Sequence, residues 1–194
     1  MRVELLDWRD AGWQPAAAMI ESHFRAGHGA EITLPALRLA VALSANGRIL
    51  GAAGLRDARR GFFSQIYLDQ PIETLLSRQS GSAVGAEEII EVASMACPYP
   101  AATLPLIEAI TAEGRRMGKS WGLFTATGPL MRLLRRTGVP LLPLAPARPE
   151  RLPDAGRWGR YYQTNPWVCA LQEGVEHLRF MPRRRPDHSG VHAE

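Results

Sequence analysis

The stretch Glu88-Ile-Ile-Glu-Val-Ala-Ser-Met-Ala96 precedes an amphipathic segment over Leu104–Met117, and Trp121-Gly-Leu-Phe-Thr125 follows it. The first and last pieces have the apolar composition of strands. The middle piece carries Leu106, Ile107 and Ile110 at helical spacing. A helix of this length is enough to join two parallel strands by a crossover connection. We therefore predict a β-α-β unit within an α/β fold that has a mixed sheet.

The upstream segments predict a helix and a hairpin. The helix covers Gln14–Arg25, and two apolar strands follow over Leu37–Leu43 and Ile49–Arg56. Asn46-Gly47 lies between these strands and is typical of a tight turn in which both residues adopt positive φ. Glycines inside the second strand, Gly51 and Gly54, indicate a bulge or the close approach of another backbone.

The downstream segments complete the predicted order of elements. They are a helix that starts at Pro71, a loop over Ser77–Gly85, a short helix over Leu130–Thr137, an extended segment over Leu141–Leu144 and a final strand over Trp167–Leu171. Sequence alone therefore predicts a central mixed sheet flanked by helices.

The composition is that of an ordinary globular protein. Of the 194 residues, 46% are hydrophobic and 22% are charged, which excludes a disordered or collagen-like chain. No apolar run reaches the roughly 18 residues that a membrane-spanning helix needs, and the charged N-terminus is unlike a signal peptide. Cys97 and Cys169 are the two cysteines, too few for a disulfide framework. We expect a cytoplasmic protein without a bound metal.

The net charge is +4, and part of the positive excess lies near the C-terminus, at Arg179, Arg183, Arg184 and Arg185. We predict one domain over residues 1–172 and a basic, flexible tail over residues 173–194. Such a tail is either simply solvated or directed at an acidic partner.

Glu91 is the residue whose chemistry is most unusual in this pattern. It stands alone among apolar neighbours in a strand expected to be central, on the same side as Ala93 and Met95. A buried carboxylate must be paired, hydrogen-bonded or raised in pKa. Glu91 is therefore either a functional acid or base, or a structural carboxylate satisfied by an arginine or by backbone donors.

Five blocks of the sequence, taken together, resemble the thermostable hemolysin family in order and spacing. They are Tyr67-Leu-Asp-Gln-Pro-Ile-Glu73, Ile90-Glu-Val-Ala-Ser-Met-Ala96, Trp121-Gly-Leu-Phe-Thr-Ala-Thr127, Leu144-Ala-Pro-Ala147 and Trp158-Gly-Arg-Tyr-Tyr162. The resemblance covers residues 13–171. One departure follows the glutamate, where the family commonly has Gly-Asn-Leu-Ala-Ser and this chain has Ala93-Ser-Met-Ala-Cys97.

The resemblance implies a GNAT-like acyltransferase fold similar to that of the acyl-homoserine-lactone synthases. Those enzymes use an acyl-carrier-protein thioester as donor and an amine as acceptor, and Glu91 matches their acidic strand position. The resemblance further implies that backbone amides near Val92–Met95 (Val92, Ala93, Ser94 and Met95) stabilise the oxyanion. The donor's pantetheine arm would lie beside this strand, against Phe124 of the next one. The small residues among them equally suit tight packing of a helix on the sheet.

The donor is predicted to be an acyl-phosphopantetheine on a carrier protein, with acyl-CoA as the alternative, and no tightly bound cofactor is expected. The stretch Cys97-Pro-Tyr-Pro-Ala-Ala-Thr-Leu-Pro105 has no glycine, and its prolines lack the amides that would bind a diphosphate. Acidic carrier proteins need a basic surface. Two clusters qualify, although each could be a merely solvated helix face: Arg132, Arg135 and Arg136, or Arg115, Arg116 and Lys119.

The acceptor is predicted to be a small, amino-acid-like amine. Arg56 could bind its carboxylate, and Asp69 could hold its ammonium or cap the following helix. Tyr161 and Tyr162 are candidate acids for the leaving thiolate, or else packing residues.

Other functions have less support. There is no Gly-x-Ser-x-Gly nucleophile elbow, the histidines lack metal-ligand spacing, and aromatic residues do not interleave with a basic stripe as in nucleic-acid binding. The alternatives are a membrane-active hemolysin and a non-catalytic acyl-binding module. Lysis could also be indirect, through a surfactant-like acylated product.

Overall fold

The computed structural model describes residues 1–174 and 177–181. Its strands are β1 (Arg2–Leu6), β2 (Arg38–Leu43), β3 (Ile49–Arg56), β4 (Ile89–Ala96), β5 (Trp121–Ala126), β6 (Leu142–Pro146) and β7 (Trp167–Gln172). Its helices are α1 (Trp13–His28), α2 (Ile72–Ser80), α3 (Thr103–Arg116) and α4 (Gly128–Arg136). The strands form one sheet in the order β1-β2-β3-β4-β5-β7-β6.

The pairing of the strands matches the predicted topology. β4 and β5 pair in parallel and are connected through α3, whereas the remaining neighbours pair antiparallel. The β-α-β unit and the β2–β3 hairpin predicted from the sequence are both confirmed.

Helices cover the sheet on both faces. On the side that we call the α1 face, Ile20 of α1 packs with Val41, and Ile72 of α2 packs with Leu123. On the opposite side, the α3 face, the core contains α3 and α4 residues such as Leu106 and Leu134. The sheet is therefore buried on both sides at its centre, where β4 and β5 lie.

The hairpin turn differs from the predicted two-residue type. Of Asn46 and Gly47, only the glycine has a positive φ, of 80°. Its N–H donates to the Ser44 carbonyl at 3.1 Å, and the Ser44 N–H donates to the Arg48 carbonyl at 2.9 Å. The turn is longer than predicted, and glycine alone supplies its left-handed residue.

Three local elements differ from the sequence prediction. β1 was not predicted, although Val3 and Leu5 alternate with polar residues and pack on the α3 face. The 3₁₀ segment Phe63–Tyr67 was not predicted either. α2 extends to Ser80, into the predicted loop, because Leu76 is buried and the Ser80 hydroxyl donates to the Leu76 carbonyl.

The ordered domain extends beyond residue 172, where the sequence prediction ended it. Phe180 is 2% exposed and packs in the α4 cluster. The backbone N–H groups of Phe180 and Met181 both donate to Glu108 of α3, each at 3.0 Å. Residues 177–181, which the prediction assigned to the tail, therefore contact α3 and the α4 cluster, and the tail arginines at 183–185 lie outside the described residues. Among the described helices, none is long and apolar enough to cross a membrane.

Gly51 confirms that β3 glycines mark a close approach of another backbone. A Cβ added to Gly51 would lie 2.7 Å from Cys97 Sγ and 3.2 Å from the Ala96 carbonyl oxygen. Gly54 is similarly close to the Ala93 carbonyl oxygen, at 3.2 Å. These contacts leave no room for larger residues where β3 meets the end of β4.

We expect Gly51→Ala to lower the free energy of unfolding by about 1–3 kcal/mol, the usual cost of overpacking. Cys97→Ala removes the closest contact. Gly51→Ala should therefore cost much less stability in the Cys97→Ala background than in the wild-type protein. Urea denaturation of the four proteins in this cycle measures the coupling. Strictly additive effects would contradict the steric explanation.

Candidate active site

A gap opens between β4 and β5 at the centre of the sheet. Their parallel pairing covers Ile89–Val92 and ends where Val92 faces Phe124. Beyond that point β5 continues to pair with β7, and β4 continues to pair with β3. Within the described residues, the two strands thus lose contact with each other while both remain in the sheet.

A β-bulge in β4 accompanies this divergence. Ala52 and Gly54 of β3 pair with Ala96 and Ala93, so β4 has one extra residue between these two pairs. Ser94 within it has a φ of 50°, a conformation uncommon outside glycine. The bulge also changes the alternation predicted for this strand, because Met95 packs on the α3 face. The sequence prediction placed Met95 on the same side of the strand as Glu91, and this was wrong.

A cavity of about 540 Å³ passes through this gap. Its lining includes the predicted substrate-binding residues Val92, Ala93, Ser94, Met95 and Phe124. On the α1 face it is bounded by residues such as Phe24 and Tyr161, and on the α3 face by residues such as Ile107 and Leu133. The cavity therefore connects the two sides of the sheet.

Glu91 lies at the point where the cavity crosses the sheet. It is 1% exposed, and its carboxylate accepts hydrogen bonds from the Phe63 N–H at 2.6 Å and the Ser64 N–H at 2.8 Å. Burial raises the pKa of Glu91 above its ordinary value, although hydrogen bonds from Ser64 and Phe63 and the nearby Arg56 charge oppose this. Glu91 is thus a buried carboxylate poised toward protonation, and it also holds the 3₁₀ segment Phe63–Tyr67 in place.

Arg56 is the cross-strand neighbour of Glu91 and lines the same cavity. Its guanidinium donates to the carbonyl groups of Arg60 and Gly61, at 3.5 and 3.2 Å. Among the described residues, no cation lies within 4.0 Å of the Glu91 carboxylate. Of the two structural alternatives, the ion pair with an arginine is therefore absent among the described residues. Backbone N–H groups do satisfy this carboxylate.

The predicted tyrosine pair is divided between two roles. Tyr161 lines the cavity and is buried, whereas the Tyr162 hydroxyl lies 2.6 Å from the Tyr67 hydroxyl. Burial raises the pKa of all three phenols, and a raised pKa makes a phenol a weaker acid. This arrangement favours packing and positioning over the predicted protonation of a thiolate.

Asp69 does not belong to the site, contrary to the sequence prediction. Its side chain is 80% exposed and forms an ion pair with Arg151. It does not cap α2 either, because the Ile72 N–H donates to the Gln65 side chain at 2.9 Å. Pro71 occupies the N-cap position of α2 and supplies no capping side-chain hydrogen bond.

Several lining residues were not identified from the sequence. Phe24, Phe63, Tyr67 and Trp158 form the aromatic wall of the cavity on the α1 face, together with Tyr161. The aromatic spacing within Trp158-Gly-Arg-Tyr-Tyr162 was the available signal. Phe24 and Phe63 reach the site only through tertiary packing, which no local pattern indicates.

The two basic clusters differ in their contacts. Arg132, Arg135 and Arg136 are all exposed on α4, and we call them the α4 arginine face. In the rival cluster, Arg115 pairs with Glu173, Arg116 pairs with Glu113, and the Lys119 ammonium donates to the Glu87 carbonyl. The rival cluster is thus engaged within the protein.

The overall fold of this chain is similar to that of known acyltransferase structures. The acyl-homoserine-lactone synthase LasI superposes with a TM-score of 0.60 at 9% identity, over 88% of this chain and 89% of LasI. FeeM, an N-acyl amino acid synthase from uncultured soil microbes, gives a TM-score of 0.57 at 12% identity, over 89% and 95% of the two chains. The CoA-dependent acyl-homoserine-lactone synthase BjaI, with SAM and isopentyl-CoA, gives a TM-score of 0.54 at 14% identity, over 88% of this chain and 82% of BjaI.

These similarities confirm the predicted fold class, a mixed-sheet acyltransferase fold of the GNAT-like type. The sequence profile described as Thermostable hemolysin matches residues 7–175. The chain therefore belongs to the thermostable hemolysin family, as the sequence blocks indicated. No curated protein sequence matches it significantly.

The raised pKa of Glu91 has a consequence for stability. Because the pKa of Glu91 is higher in the folded protein than in the unfolded chain, protonation of this group stabilises the folded protein. This contribution to stability is fully present below the pKa in the unfolded chain and is lost as pH rises through the pKa in the folded protein. Relative to Glu91→Gln, wild-type protein should therefore lose stability as pH rises above the pKa that Glu91 has in the unfolded chain. Chemical denaturation at a series of pH values measures the difference.

Glu88→Gln provides a control of opposite sign. A hydrogen bond from the Gly85 backbone, and another from Ser120, lower the pKa of Glu88. Its contribution is present above the unfolded pKa and is lost as pH falls through the folded pKa. The stability difference between wild type and Glu88→Gln should rise with pH. If the difference between wild type and Glu91→Gln also rose with pH, the raised pKa of Glu91 would be contradicted.

Proposed function

We propose that this protein is an N-acyltransferase. It moves a fatty acyl group from a thioester, carried by an acyl-carrier protein or by CoA, to the amine of a small amino-acid-like acceptor. The observation that supports this most directly is the buried Glu91 carboxylate beside a cavity that crosses the sheet through the β4–β5 gap. A base next to such a passage is where an amine and a thioester can meet.

In this proposal the two substrates reach Glu91 from opposite faces of the sheet. The pantetheine arm lies along the β4 edge that has lost its β5 partner and uses main-chain hydrogen bonds as an added strand would. The acceptor occupies the α1 face, near Arg56. This arrangement brings the reacting carbon and nitrogen together within the gap.

Acyl transfer then needs one proton acceptor and one oxyanion site. Glu91 takes a proton from the acceptor ammonium, directly or through water, and frees the nitrogen lone pair. The C–N bond forms as amides near Val92–Met95 stabilise the oxyanion, and the C–S bond then breaks. The nitrogen then loses a second proton, which the departing thiolate takes up to become a thiol, and the proton held by Glu91 returns to solvent, so that charge and atoms balance.

The acceptor proposal rests on charge. Arg56 is the lining arginine opposite Glu91, so an acceptor that carries both a carboxylate and an amine matches both groups. FeeM, described as an N-acyl amino acid synthase, is a similar fold with an acceptor of that class.

The donor proposal rests on the loop before α3. Pro98, Pro100 and Pro105 supply no amide hydrogens there, and the Ala102 N–H is already donated to the Tyr99 carbonyl at 2.9 Å. A diphosphate would find few donors at this helix start. We therefore favour a carrier protein over CoA, although BjaI, described as CoA-dependent, shares the fold. The cytoplasmic location stays a prediction.

We expect Glu91→Gln to lower kcat for acyl transfer by about tenfold or more, since general bases contribute at least that much. The test is mass analysis of products from acyl-carrier protein and amino-acid acceptors, with circular dichroism to confirm folding. Loss of the pH dependence of kcat/KM in the variant would distinguish a base from a structural carboxylate.

Glu113→Gln is the matched control for this experiment. Glu113 is also a buried acid, but it is paired with Arg38 and Arg116 and does not line the cavity. Its variant should keep kcat per folded molecule. Equal rates for wild type and Glu91→Gln would contradict the base role. Acyl-chain binding without turnover by wild type would instead support the non-catalytic acyl-binding module.

We expect charge reversal of the α4 arginine face to raise KM for acyl-carrier protein, with a smaller effect at high salt. Stopped assays across ionic strength measure this, and kcat should change little. Reversal of three exposed arginines outside α4 is the control: Arg9, Arg25 and Arg59. An equal KM increase in both triple variants would show a general charge effect and overturn the assignment of this surface.

A further inference from the structure

The cavity continues beyond the reaction point, on the α3 face of the sheet. Its walls there are Ile110 and Gly114 from α3, Leu133 from α4 and Leu171 from β7. Its floor is β5, where Gly122 lies two residues before Phe124 on the same face. Apolar surface predominates in the cavity as a whole, which suits a hydrocarbon chain, although Thr111, Lys119 and Glu173 also line it.

Gly122 keeps the floor of this region open. A Cβ built on Gly122 would meet only the Leu171 carbonyl oxygen, 4.0 Å away. Its backbone does not need a positive φ. A side chain at this position would therefore fit the local backbone but would project into the cavity.

The far end of the cavity is lined by residues that follow β7. Glu173 continues from β7, and its N–H donates to the Ser120 carbonyl at 2.8 Å. One of its carboxylate oxygens accepts from Arg115, and the other is buried without a hydrogen-bond partner among the described residues. Glu173 and Leu178 both line the cavity. An apolar chain end is a poor neighbour for this buried carboxylate, so Glu173 disfavours a chain that extends further.

The Leu178 wall is fixed by its neighbours. Phe180 is buried in the α4 cluster, and Glu108 accepts the N–H groups of Phe180 and Met181. The Leu178 N–H donates to Glu173 at 3.3 Å. The segment 177–181 is thus held against α3 as an end wall.

The distance from the gap to this wall limits the chain that fits. Ser120 precedes Phe124 by four residues, which corresponds to about 13 Å along β5. An extended backbone advances about 3.5 Å over three bonds, so this distance takes roughly eleven bonds, which counted from the thioester sulfur is a chain of about ten or eleven carbons.

We propose that Gly122 and the end wall of Glu173 and Leu178 select the length of the donor acyl group, with an optimum of about ten carbons. The inference rests on the proposed acyl transfer. It assigns chain-length selection to a glycine in β5 and to the segment after the last strand. Medium chains fill the cavity, shorter chains leave it partly empty, and longer ones meet the wall.

The test is a chain-length profile of kcat/KM with acyl-carrier-protein thioesters from butanoyl to hexadecanoyl. Gly122→Val should move the optimum to shorter chains and lower the rate with decanoyl thioester by about tenfold. Leu178→Ala should move the optimum to longer chains. Leu141→Ala is the control, because Leu141 packs in the same cluster without lining the cavity, and its profile should match wild type.

The outcomes separate the two proposals. If wild type transfers acyl groups but the profile is the same in Gly122→Val and Leu178→Ala, the length selection is overturned. If wild type gives no product with any thioester, the proposed function fails. Calorimetric binding of free fatty acids then tests length selection without turnover. A preference for decanoic acid that shifts in both variants supports it, and binding that is independent of length overturns it.

Discussion

The divergence of β4 from β5 is the constraint on which the candidate site depends. Parallel strands normally continue side by side, because unpaired backbone groups in a buried sheet cost free energy. Here β4 leaves its neighbour after Val92, at a bulge whose Ser94 has a φ of 50°. Such a residue costs of order 1–3 kcal/mol and persists only where its surroundings determine it. Pairing to β3 on one side and packing of Met95 against the α3 core supply those surroundings. The gap is therefore built into the fold, and in the proposed function the β4 edge that lacks a β5 partner among the described residues would form main-chain hydrogen bonds with a substrate.

Glu91 owes its character to opposing effects at this gap. Burial favours the protonated carboxyl, whereas two backbone N–H donors and the Arg56 charge favour the carboxylate. Burial is the larger effect, so the net result is a raised pKa. The same hydrogen bonds tie the 3₁₀ segment Phe63–Tyr67 to β4, so the group that would move a proton also positions one wall of the cavity. A direct ion pair would have fixed the charge and left little tendency to accept a proton.

Local patterns in the sequence predicted most elements of the fold, and the limits of that prediction have physical causes. Alternation and helical spacing located the β-α-β unit because burial on both faces leaves a strong apolar signal. The bulge at Ser94 left no such signal, so the side assigned to Met95 was wrong. Glu91 could be identified from the sequence because it is an acid in an apolar strand. Asp69 was wrongly assigned to the site because its partner, Arg151, lies 82 residues away in the sequence. The cavity itself is a tertiary feature, made by side chains from segments whose spacing in sequence carries no information about their contact.

Acyl transfer at this site would also give a physical account of the family name. A chain of about ten carbons joined to an acceptor with a free carboxylate is an amphiphile, since each buried CH₂ contributes about 0.8 kcal/mol to membrane partitioning. Arg56 would select acceptors that keep this charged end, and the Glu173–Leu178 wall would select chains of medium length. Lysis would then depend on what the protein makes, and its strength would follow catalytic turnover and chain length. Purified protein without a thioester would leave membranes intact, whereas the reaction product alone would disrupt them.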